Sequence, residues 1–527
     1  MKKLPIVLVC LLLLVLRLSF VGKGANAFGD EFRYWYSAQC LLDVSKGEFA
    51  SALAQLFRAN ARPCLVLANL PPVLVQSVVY QWVGLDPRSP DALLVPQWWN
   101  VLVSVAQLLL FYRLVRRWLG LGAVEAAGLV LVYGLFASSN FYLRHLLPYD
   151  FVLLCWFYLL DRASGAKNAW ALGGLAGLVY LTYPGYWLLV PTLGVVWLHG
   201  QAGGRLAFAW THVRRPLLFV AGLLTPVVFF EALARLIGQS LLAESIRAGD
   251  EYLNYLQYYD GGLRLLADYL FTMEGGVGVL LGLLSVGFMV ERGRDCWRGQ
   301  PLQPVDLVVL VLFLGFCVQA LAGYGSGLKV FYGRLFKMYL PFMTLAAGWC
   351  WFHGLKRYLG RFGGRVVPVL ASGLVLAWTM VRFGHFYQLY HHLGYPRDAL
   401  YAMGLSCQPK GSQDYDIWVD QPPKDGLRRF NEYRPAGNYA TIPPGWHAPN
   451  PPNEAHKKAL FVNFTLLPCY LEGTFQPLQL PDSLIWQWRT PHFMSWEGYW
   501  FEENLSGKRT YFQGRTLMLG VAGPRGF

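Results

Sequence analysis

The sequence predicts an all-α polytopic membrane protein of about eleven transmembrane helices, followed by a small C-terminal extracytoplasmic domain. Three observations predict this fold class. Hydrophobic residues make up 55% of the 527 positions, charged residues only 14%, and long apolar segments recur as far as residue 384. A soluble domain carries about 25% charged residues. The composition therefore excludes a disordered chain and an ordinary cytosolic enzyme.

Eleven apolar segments are candidate spanning helices, for which ~20 apolar residues are needed. A twelfth, 64–83, has Pro71 and Pro72 in its middle. We interpret it as a re-entrant or interfacial pair of helices, broken at the prolines, within one large outer loop, 22–96. The eleven segments cover 4–21, 97–115, 122–138, 149–161, 169–181, 183–199, 215–236, 275–291, 304–324, 335–353 and 366–384.

The distribution of Lys and Arg predicts the orientation. In a soluble protein, a net charge of +14 would suggest a nucleic-acid partner. Here the cations cluster in alternate loops, and we expect no nucleic-acid partner. Cytoplasmic loops carry the excess of Lys and Arg. We expect a multi-pass protein of the cell inner or plasma membrane, with a cytoplasmic N-terminus and the C-terminal domain outside. The clusters are Lys2–Lys3, Arg113–Arg117, Arg162–Lys167, Arg205–Arg215, Arg292–Arg298 and Lys356–Arg365.

The first apolar segment has a second interpretation. Residues 1–27 have a basic start, a Leu-rich centre and an Ala25-Asn26-Ala27 end, which is typical of a cleaved signal peptide. Arg17 and Lys23 fit that pattern less well. In either case residue 28 begins outside the membrane, so the predicted orientation is the same.

After about residue 385 the composition changes. The tail 385–527 has no spanning segment and is rich in Pro, Gly, Trp and charge, which predicts a small domain of mixed α/β structure. Nine cysteines in 527 residues exclude a disulfide scaffold. A Cys407–Cys469 disulfide and a pair of unrelated reduced thiols are both consistent with the sequence.

Two carboxylates, Asp30 and Glu31, directly follow the first segment. Burial of ionisable groups near a membrane is costly, so such groups often serve a function. At the mouth of a cavity Asp30 could act as a general base. The alternative is a solvated interfacial pair.

A second polar segment lies between the third and fourth apolar segments. Arg144, His145 and Asp150 fall there, on the same predicted outer face as Asp30. Their alternative interpretation is a helix cap with an arginine anchored at lipid headgroups.

Cations and tyrosines complete the outer face. Lys329, Arg334 and Lys337 lie where positive charge is normally sparse, and a phosphate-bearing ligand would explain them. Snorkelling at the interface would explain them equally well. The outer loop 237–274 contains Tyr255 and Tyr259 among several tyrosines and carboxylates, which suit a sugar and are also typical of an interfacial belt.

Over roughly residues 1–384 the chain resembles the GT-C glycosyltransferases, in the branch of the protein O-mannosyltransferases and the lipid A aminoarabinose transferase. Phe28-Gly-Asp-Glu-Phe-Arg-Tyr34 is similar to that branch's Asp-Glu-x-x-Tyr motif, and Asn69-Leu-Pro-Pro-Val73 to its His/Lys-Pro-Pro-Leu step. Leu70 replaces the cation of that step. Further similar positions are Leu114–Gly120, Asp150, Thr182–Gly185 and Arg334–Pro341.

The resemblance implies an inverting transfer of sugar from a polyprenyl-phosphate donor to a hydroxyl of a glycan, lipid or protein. Asp30 would be the general base, with Glu31 and Asp150 orienting the acceptor or holding a divalent metal (Mg, Mn or Zn). Arg144, His145, Lys329, Arg334 and Lys337 would bind the donor phosphate, while Tyr34, Tyr255 and Tyr259 would contact acceptor or sugar.

Three other functions remain open. A transporter or flippase of a lipid-linked sugar would share the phosphate pocket but need no general base. A glycan polymerase or ligase of another membrane fold would carry a large outer loop late in the chain. An assembly protein would bind its partner through the C-terminal domain.

Overall fold

The structure is a computed structural model. It describes residues 4–22, 32–58, 62–84, 94–202, 214–247, 270, 274–326, 333–355, 358 and 366–391, together with seven strands beyond residue 392. Side chains are described for most of the helical positions. Those of Arg334 and of residues beyond 387 are among the exceptions.

The described part of the chain is mostly helical. The helices up to the large first loop are α1 Leu4–Leu18, α2 Phe32–Ser45, α3 Phe49–Phe57 and α4 Leu65–Val83. They are followed by α5 Leu94–Trp118, α6 Ala123–Leu135, α7 Ala137–Asn140, α8 Tyr149–Ala163, α9 Ala169–Thr182 and, after a 3-10 turn at Pro184–Tyr186, α10 Leu189–Gln201. The last are α11 Arg214–Leu236, α12 Gly276–Trp297, α13 Pro304–Ser326, α14 Gly333–Trp349 with a π-turn at Cys350–Leu355, and α15 Val366–His391.

Each of the eleven predicted apolar segments falls on described helix. Among the described residues, five helices are long and apolar enough to cross a membrane, which supports a multi-pass membrane protein. The arrangement with eleven spans stays a prediction. The five cover Leu94–Trp118, Arg214–Leu236, Gly276–Trp297, Pro304–Leu321 and Val366–Tyr387.

The prediction that Pro71 and Pro72 break the twelfth segment is wrong, because α4 runs through both prolines. A proline inside a helix deprives the carbonyl four residues earlier of its N–H partner. For Pro72 that carbonyl belongs to Ala68, and the indole Nε1–H of Trp99 donates to it over 3.0 Å. A side chain from α5 thus replaces the missing intrahelical bond and lets the helix continue.

One end of the helical unit gathers loops rich in cations. Arg113 Nε lies 2.8 Å from Asp161 Oδ2, and Arg117 also bonds Asp161, so the C-terminal ends of α5 and α8 meet. His353, directly after α14, contacts the carbonyl oxygen of Leu119 at 2.9 Å. The loops that follow α5, α8 and α14 therefore lie at the same end.

Arg292 attaches the connection between α12 and α13 to the cation-rich end of the helical unit. Its guanidinium forms two bonds to the Asp306 carboxylate, of 2.8 and 2.7 Å, and one of 2.8 Å to Asp295. It also lies over the ring of Trp349, 5.4 Å from the centroid. Such a two-pronged pair fixes geometry as well as charge. It holds α12, α13 and α14 together where the chain turns.

Helices α9 and α11 pack with their backbones almost in contact. A Cβ added at Gly173 would lie 2.0 Å from the carbonyl oxygen of Phe219, and one at Gly222 would lie 2.0 Å from that of Trp170. Small residues allow such close approach between membrane helices. The glycines therefore set the distance between these two helices.

The helices α2 and α3 form a hairpin joined through Asp43. Its carboxylate accepts hydrogen bonds from Gln39 Nε2 (2.5 Å) and Ser51 Oγ (2.6 Å). The bond from Ser51, reinforced by that from Gln39, holds the pKa of Asp43 below its usual range. Asp43 thus ties the hairpin most strongly when it is ionised.

The described strands of the C-terminal region form two sheets. A five-stranded sheet has the order β3-β2-β4-β7-β5, with β2 parallel to β3 and β4, and β7 antiparallel to β4 and β5. The short β1 and β6 pair in parallel. The strands are β1 Leu393–Gly394, β2 Tyr415–Val419, β3 Gly437–Thr441, β4 Lys458–Val462, β5 Leu484–Thr490, β6 His492–Phe493 and β7 Leu517–Ala522.

The chain divides into two compact units. One comprises residues 1–20, 32–75 and 96–384, and the other comprises 21–31, 76–95 and 385–527. Cys407 and Cys469 lie outside the described residues. The structure therefore tests neither a disulfide between them nor a pair of reduced thiols.

Candidate functional site

The connection between α6 and α8 is buried although much of it is irregular. All residues from Phe136 to Asp150 are buried. Buried backbone groups need hydrogen-bond partners, and α5 supplies two of them. Gln97 Nε2 donates to the carbonyl oxygen of Arg144 (2.7 Å), and Asn100 Nδ2 donates to that of His145 (2.6 Å). The N-terminal part of α5 therefore supports the segment that carries Arg144 and His145.

Arg17 reaches this segment from α1. Its side chain is only 2% exposed, and its Nε donates to Asn140 Oδ1 over 3.0 Å while Nη2 donates to the carbonyl oxygen of Gly134 over 3.3 Å. Asn140 in turn donates to the carbonyl oxygens of Gly134 and Phe136. The polar atoms at the end of α6 are thus bridged by Arg17 and Asn140.

Lys337 reaches the same segment from α14. Its Nζ lies 2.7 Å from Asp150 Oδ2 and 3.2 Å from the carbonyl oxygen of Ser139. Lys337 is 1% exposed and Asp150 5% exposed, so the ion pair is buried. A buried pair is strongly destabilised when one partner is lost, because the remaining charge is left uncompensated.

Glu274, directly before α12, caps the short helix α7. Its carboxylate oxygens accept hydrogen bonds from the backbone N–H groups of Ala137 (3.0 Å) and Ser138 (2.8 Å). Burial raises the pKa of Glu274, although these two bonds act in the opposite direction. Glu274 therefore fixes the position of α7, the helix that carries Asn140.

We call Arg17, Asn140, Asp150 and Lys337 the buried polar cluster. Its members come from the end of α1, from α7, from the start of α8 and from the start of α14. The Arg17 charge also interacts with those of Asp150 and Lys337. With two cations and one carboxylate, the cluster carries an excess of positive charge when all three groups are ionised.

Four buried tyrosines pack beside Asp150. The ring of Tyr149 lies 5.2 Å from that of Tyr142 and 4.9 Å from that of Tyr183, and Tyr183 lies 4.9 Å from Tyr186. We call these four residues the tyrosine cluster. Aromatic faces and phenolic hydroxyls suit the ring faces and hydroxyls of a sugar.

The described part of the predicted outer loop 22–96 contacts this region. The guanidinium of Arg62 lies over the ring of Tyr183, 4.9 Å from its centroid. The hydroxyl of Thr182 donates to the carbonyl oxygen of Cys64 (3.4 Å). The start of α4 therefore lies against the tyrosine cluster, at the end of the unit that carries the polar cluster.

The structure brings some of the predicted site residues together. Asp150 and Lys337 contact each other, and Arg144 and His145 are buried in the segment just before Asp150. Tyr34 is buried in α2. Asp30, Glu31, Lys329, Tyr255 and Tyr259 lie outside the described residues, as does the side chain of Arg334 at the start of α14.

A metal site is not visible in the described part of the chain, where no group of three or more His, Cys, Asp or Glu side chains is suitably placed. Of the predicted metal ligands, Asp150 alone is described, and its Oδ2 already accepts from Lys337. The predicted metal site depends on Asp30 and Glu31, so its existence stays a prediction.

Sequence reasoning did not select Arg17 or the tyrosine cluster. Arg17 carried a usable signal, because an ionisable residue inside an apolar segment is rare and costly unless it faces a protein interior. The four tyrosines carried no comparable signal, since aromatic residues in apolar segments are as typical of a packed core as of a binding site. Their proximity depends on the turn at Pro184–Tyr186.

Comparison with known proteins gives no family assignment. No protein-family model matches the chain, and no curated protein matches it.

Proposed function

We propose that the chain is an integral-membrane glycosyltransferase of GT-C type. It moves a sugar from a polyprenyl-phosphate donor to an acceptor hydroxyl on the outer face of the membrane, with inversion at the anomeric carbon. In this proposal the N-terminus is cytoplasmic and residues 385–527 form an extracytoplasmic domain. The polar cluster then belongs to the outer end of the bundle.

The observation that carries the proposal is the adjacency of the buried polar cluster and the tyrosine cluster. Charged side chains buried among membrane helices are costly and tend to be retained for function. An excess of positive charge suits a phosphate, and aromatic rings with hydroxyl groups suit a sugar. A sugar phosphate combines both requirements in one molecule.

The proposed chemistry needs one proton transfer and one displacement. The acceptor oxygen attacks the anomeric carbon, its proton passes to the Asp30 carboxylate, and the bond from that carbon to the phosphate oxygen breaks. The leaving polyprenyl phosphate keeps the electron pair. Cations beside the phosphate stabilise the charge that develops on it. Lys337 and Arg144 are proposed for this role, with His145, Lys329 and Arg334.

Glu31 and Asp150 are proposed to orient the acceptor. A divalent metal at Asp30, Glu31 and Asp150 would stabilise the departing phosphate as a Lewis acid. Tyr34, Tyr255 and Tyr259 are proposed to contact the acceptor or the sugar. The ion pair of Asp150 with Lys337 supports a role for both residues at one site. The carboxylate proposed to orient the acceptor lies 2.7 Å from the ammonium group proposed to bind the donor phosphate.

The test uses purified protein in nanodiscs with a panel of polyprenyl-phosphate sugars. Asp30→Asn keeps the size of the side chain and removes the base, so the variant is expected to bind the donor but not to release free polyprenyl phosphate. Glu48→Gln, which changes an exposed carboxylate outside the proposed site, is the matched control and is expected to turn over normally. Wild-type turnover by Asp30→Asn would overturn the assignment of the base.

The same protein distinguishes the transferase from a transporter. In sealed proteoliposomes, a flippase moves the lipid-linked sugar across the bilayer without breaking the sugar–phosphate bond, and Asp30→Asn leaves that movement intact. Movement of intact donor without any release of polyprenyl phosphate, for every sugar in the panel, would overturn the transferase proposal.

A further inference from the structure

Arg17 carries a charge that the described residues do not neutralise by an ion pair. Asp150 pairs with Lys337, and Glu274 accepts from the amides of Ala137 and Ser138. The acceptors bonded to Arg17 are neutral, namely Asn140 Oδ1 and the carbonyl oxygen of Gly134. Among the described residues, the buried Arg17 therefore has no ion-pair partner of its own.

The hydrogen bonds of Arg17 are also incomplete. Nε and Nη2 each donate once, but the buried Nη1 has no hydrogen-bond partner. A guanidinium has five N–H donors in a fixed plane, and leaving a buried charged donor unsatisfied is expensive. The neighbouring Lys337 uses two of its three ammonium hydrogens on Asp150 and Ser139.

A purely structural role explains only part of this arrangement. The bonds to Asn140 and Gly134 connect α1 to α6 and α7, and a neutral amide side chain could make the same kind of connection without burying a charge. A buried cation with an unused donor, beside a second cation, is instead expected where an anion binds.

We propose that Arg17 and Lys337 together bind the phosphate group of a membrane lipid, through Nη1 of Arg17 and the ammonium of Lys337. A guanidinium presents its donors in a planar fork that matches phosphate oxygens. Asp150 interacts electrostatically with both Arg17 and Lys337 and limits the net charge when the anion is absent. The inference rests on the proposed function, whose donor carries such a phosphate, and adds Arg17 to its binding residues.

The apolar surface of α1 favours a lipid as the source of the phosphate. Leu8, Leu11 and Val15 are exposed on the helix that carries Arg17. In a membrane, exposed apolar side chains of this kind contact acyl or prenyl chains. Arg17 lies on the buried face of the same helix, one residue before its end, so a lipid phosphate can enter at that end while its hydrocarbon tail contacts the exposed side chains. Inorganic phosphate gains nothing from those side chains.

The first experiment uses wild-type protein alone. Thermal unfolding is measured in zwitterionic nanodiscs with polyprenyl phosphate, with polyprenol of the same length, or with inorganic phosphate. Polyprenyl phosphate is expected to raise the melting temperature by several degrees, and polyprenol is not. Equal shifts with polyprenol and polyprenyl phosphate would overturn the anion site, and a shift with inorganic phosphate equal to that with the lipid would overturn the lipid assignment.

The second experiment locates the site. Arg17→Gln is expected to weaken polyprenyl-phosphate binding roughly tenfold or more, the effect of losing a charge-assisted hydrogen bond. Arg17→Lys keeps the charge but loses the fork, so it is expected to fall between wild type and Arg17→Gln. Arg116→Gln, at an exposed arginine of α5, is the matched control and is expected to bind as wild type.

The outcomes separate this inference from the proposed function, because the probe carries no sugar. If the protein binds polyprenyl phosphate through Arg17 but transfers no sugar, the phosphate site stands and the transferase proposal fails. If the protein transfers sugar but Arg17→Gln binds polyprenyl phosphate as tightly as wild type, the transferase proposal stands and the phosphate site at Arg17 fails. If Arg17→Gln does not fold, Arg17→Lys and the wild-type comparison with polyprenol still decide.

Discussion

Lys337 and Asp150 lie 187 positions apart in the chain, and their side chains form a buried ion pair of 2.7 Å. The pair joins the start of α14 to the start of α8. Since Lys337 also donates to the carbonyl oxygen of Ser139, it connects both helices to α7. Three separated parts of the sequence are thus held around one ammonium group.

Removing one member of this pair is expected to be worse than removing both. Lys337→Met leaves the Asp150 carboxylate uncompensated, so the free energy of unfolding is expected to fall by about 3–5 kcal/mol. The double variant Lys337→Met/Asp150→Asn leaves no charge of the pair uncompensated and is expected to lose less than Lys337→Met alone. Denaturant unfolding in detergent gives the four values, and Lys167→Met, at an exposed lysine, is the control. Strict additivity of the single losses would contradict a direct interaction.

Turnover gives an independent measure of Asp150. We expect Asp150→Asn to reduce sugar transfer strongly at a temperature where the variant remains folded. If Asp150 only capped α8, transfer would continue at the wild-type rate once folding is secured. The comparison is made with melting temperatures measured in the same nanodiscs.

The indole of Trp99 is expected to be necessary because of Pro72. Trp99→Phe leaves the Ala68 carbonyl without a donor and should lower the free energy of unfolding by about 1–3 kcal/mol. Trp98→Phe, at a side chain 56% exposed, is the matched control and should change it by less than about 0.5 kcal/mol.

A rescue variant tests the cause. Pro72→Ala restores a backbone N–H to the Ala68 carbonyl, so Trp99→Phe/Pro72→Ala should unfold at a higher temperature than Trp99→Phe. A double variant no more stable than Trp99→Phe would show that the loss comes from packing of the indole ring.

The contact between α9 and α11 should not accept a methyl group. Gly173→Ala would place its Cβ against the carbonyl oxygen of Phe219, and overpacking of this kind costs about 1–3 kcal/mol. Gly128→Ala, where the added Cβ meets no atom within 4 Å, should be neutral or stabilising because alanine favours the helix. Equal melting temperatures for the two variants would contradict the close approach of the helices.

The Asp43 hairpin should show a defined pH dependence. Because hydrogen bonds hold the pKa of Asp43 below its usual range, their stabilisation is fully present above about pH 4 and is lost as the pH falls through the lowered pKa. Wild type should therefore melt at a higher temperature than Ser51→Ala at pH 7, and the difference should shrink below pH 4.

The control for this prediction is Ser45→Ala. The Ser45 hydroxyl donates to the carbonyl oxygen of Leu42, which does not titrate, so its effect should not vary with pH. A difference between wild type and Ser51→Ala that stays constant from pH 7 to pH 3 would contradict the role of the ionised Asp43.

The sequence predicted the helical segments well because apolar length is a local property. The eleven segments fall on helices, and residues from several cation-rich loops meet at one end. The break at Pro71 and Pro72 was predicted wrongly because the compensating donor, Trp99, lies on another helix. Local rules for proline cannot include such a partner.

The candidate site was predictable only in part. Asp150 and Lys337 attract attention singly, because charges in apolar surroundings are rare, but their pairing depends on how α8 and α14 pack. From the sequence alone, Arg17 is only a residue that fits the signal-peptide pattern of 1–27 less well. Its partners Asn140 and Gly134 become visible only when α1 lies along α6.

The distance in sequence between Arg17 and Asn140 has a consequence for biosynthesis. During translation α1 emerges first, and Asn140 follows 123 residues later. At about 5–20 residues per second, that interval lasts roughly 6–25 s. For all of that time Arg17 lacks the acceptor that Asn140 provides in the finished protein. Until α7 is made, the guanidinium of the nascent α1 therefore needs other hydrogen-bond acceptors, from lipid headgroups or from the insertion machinery.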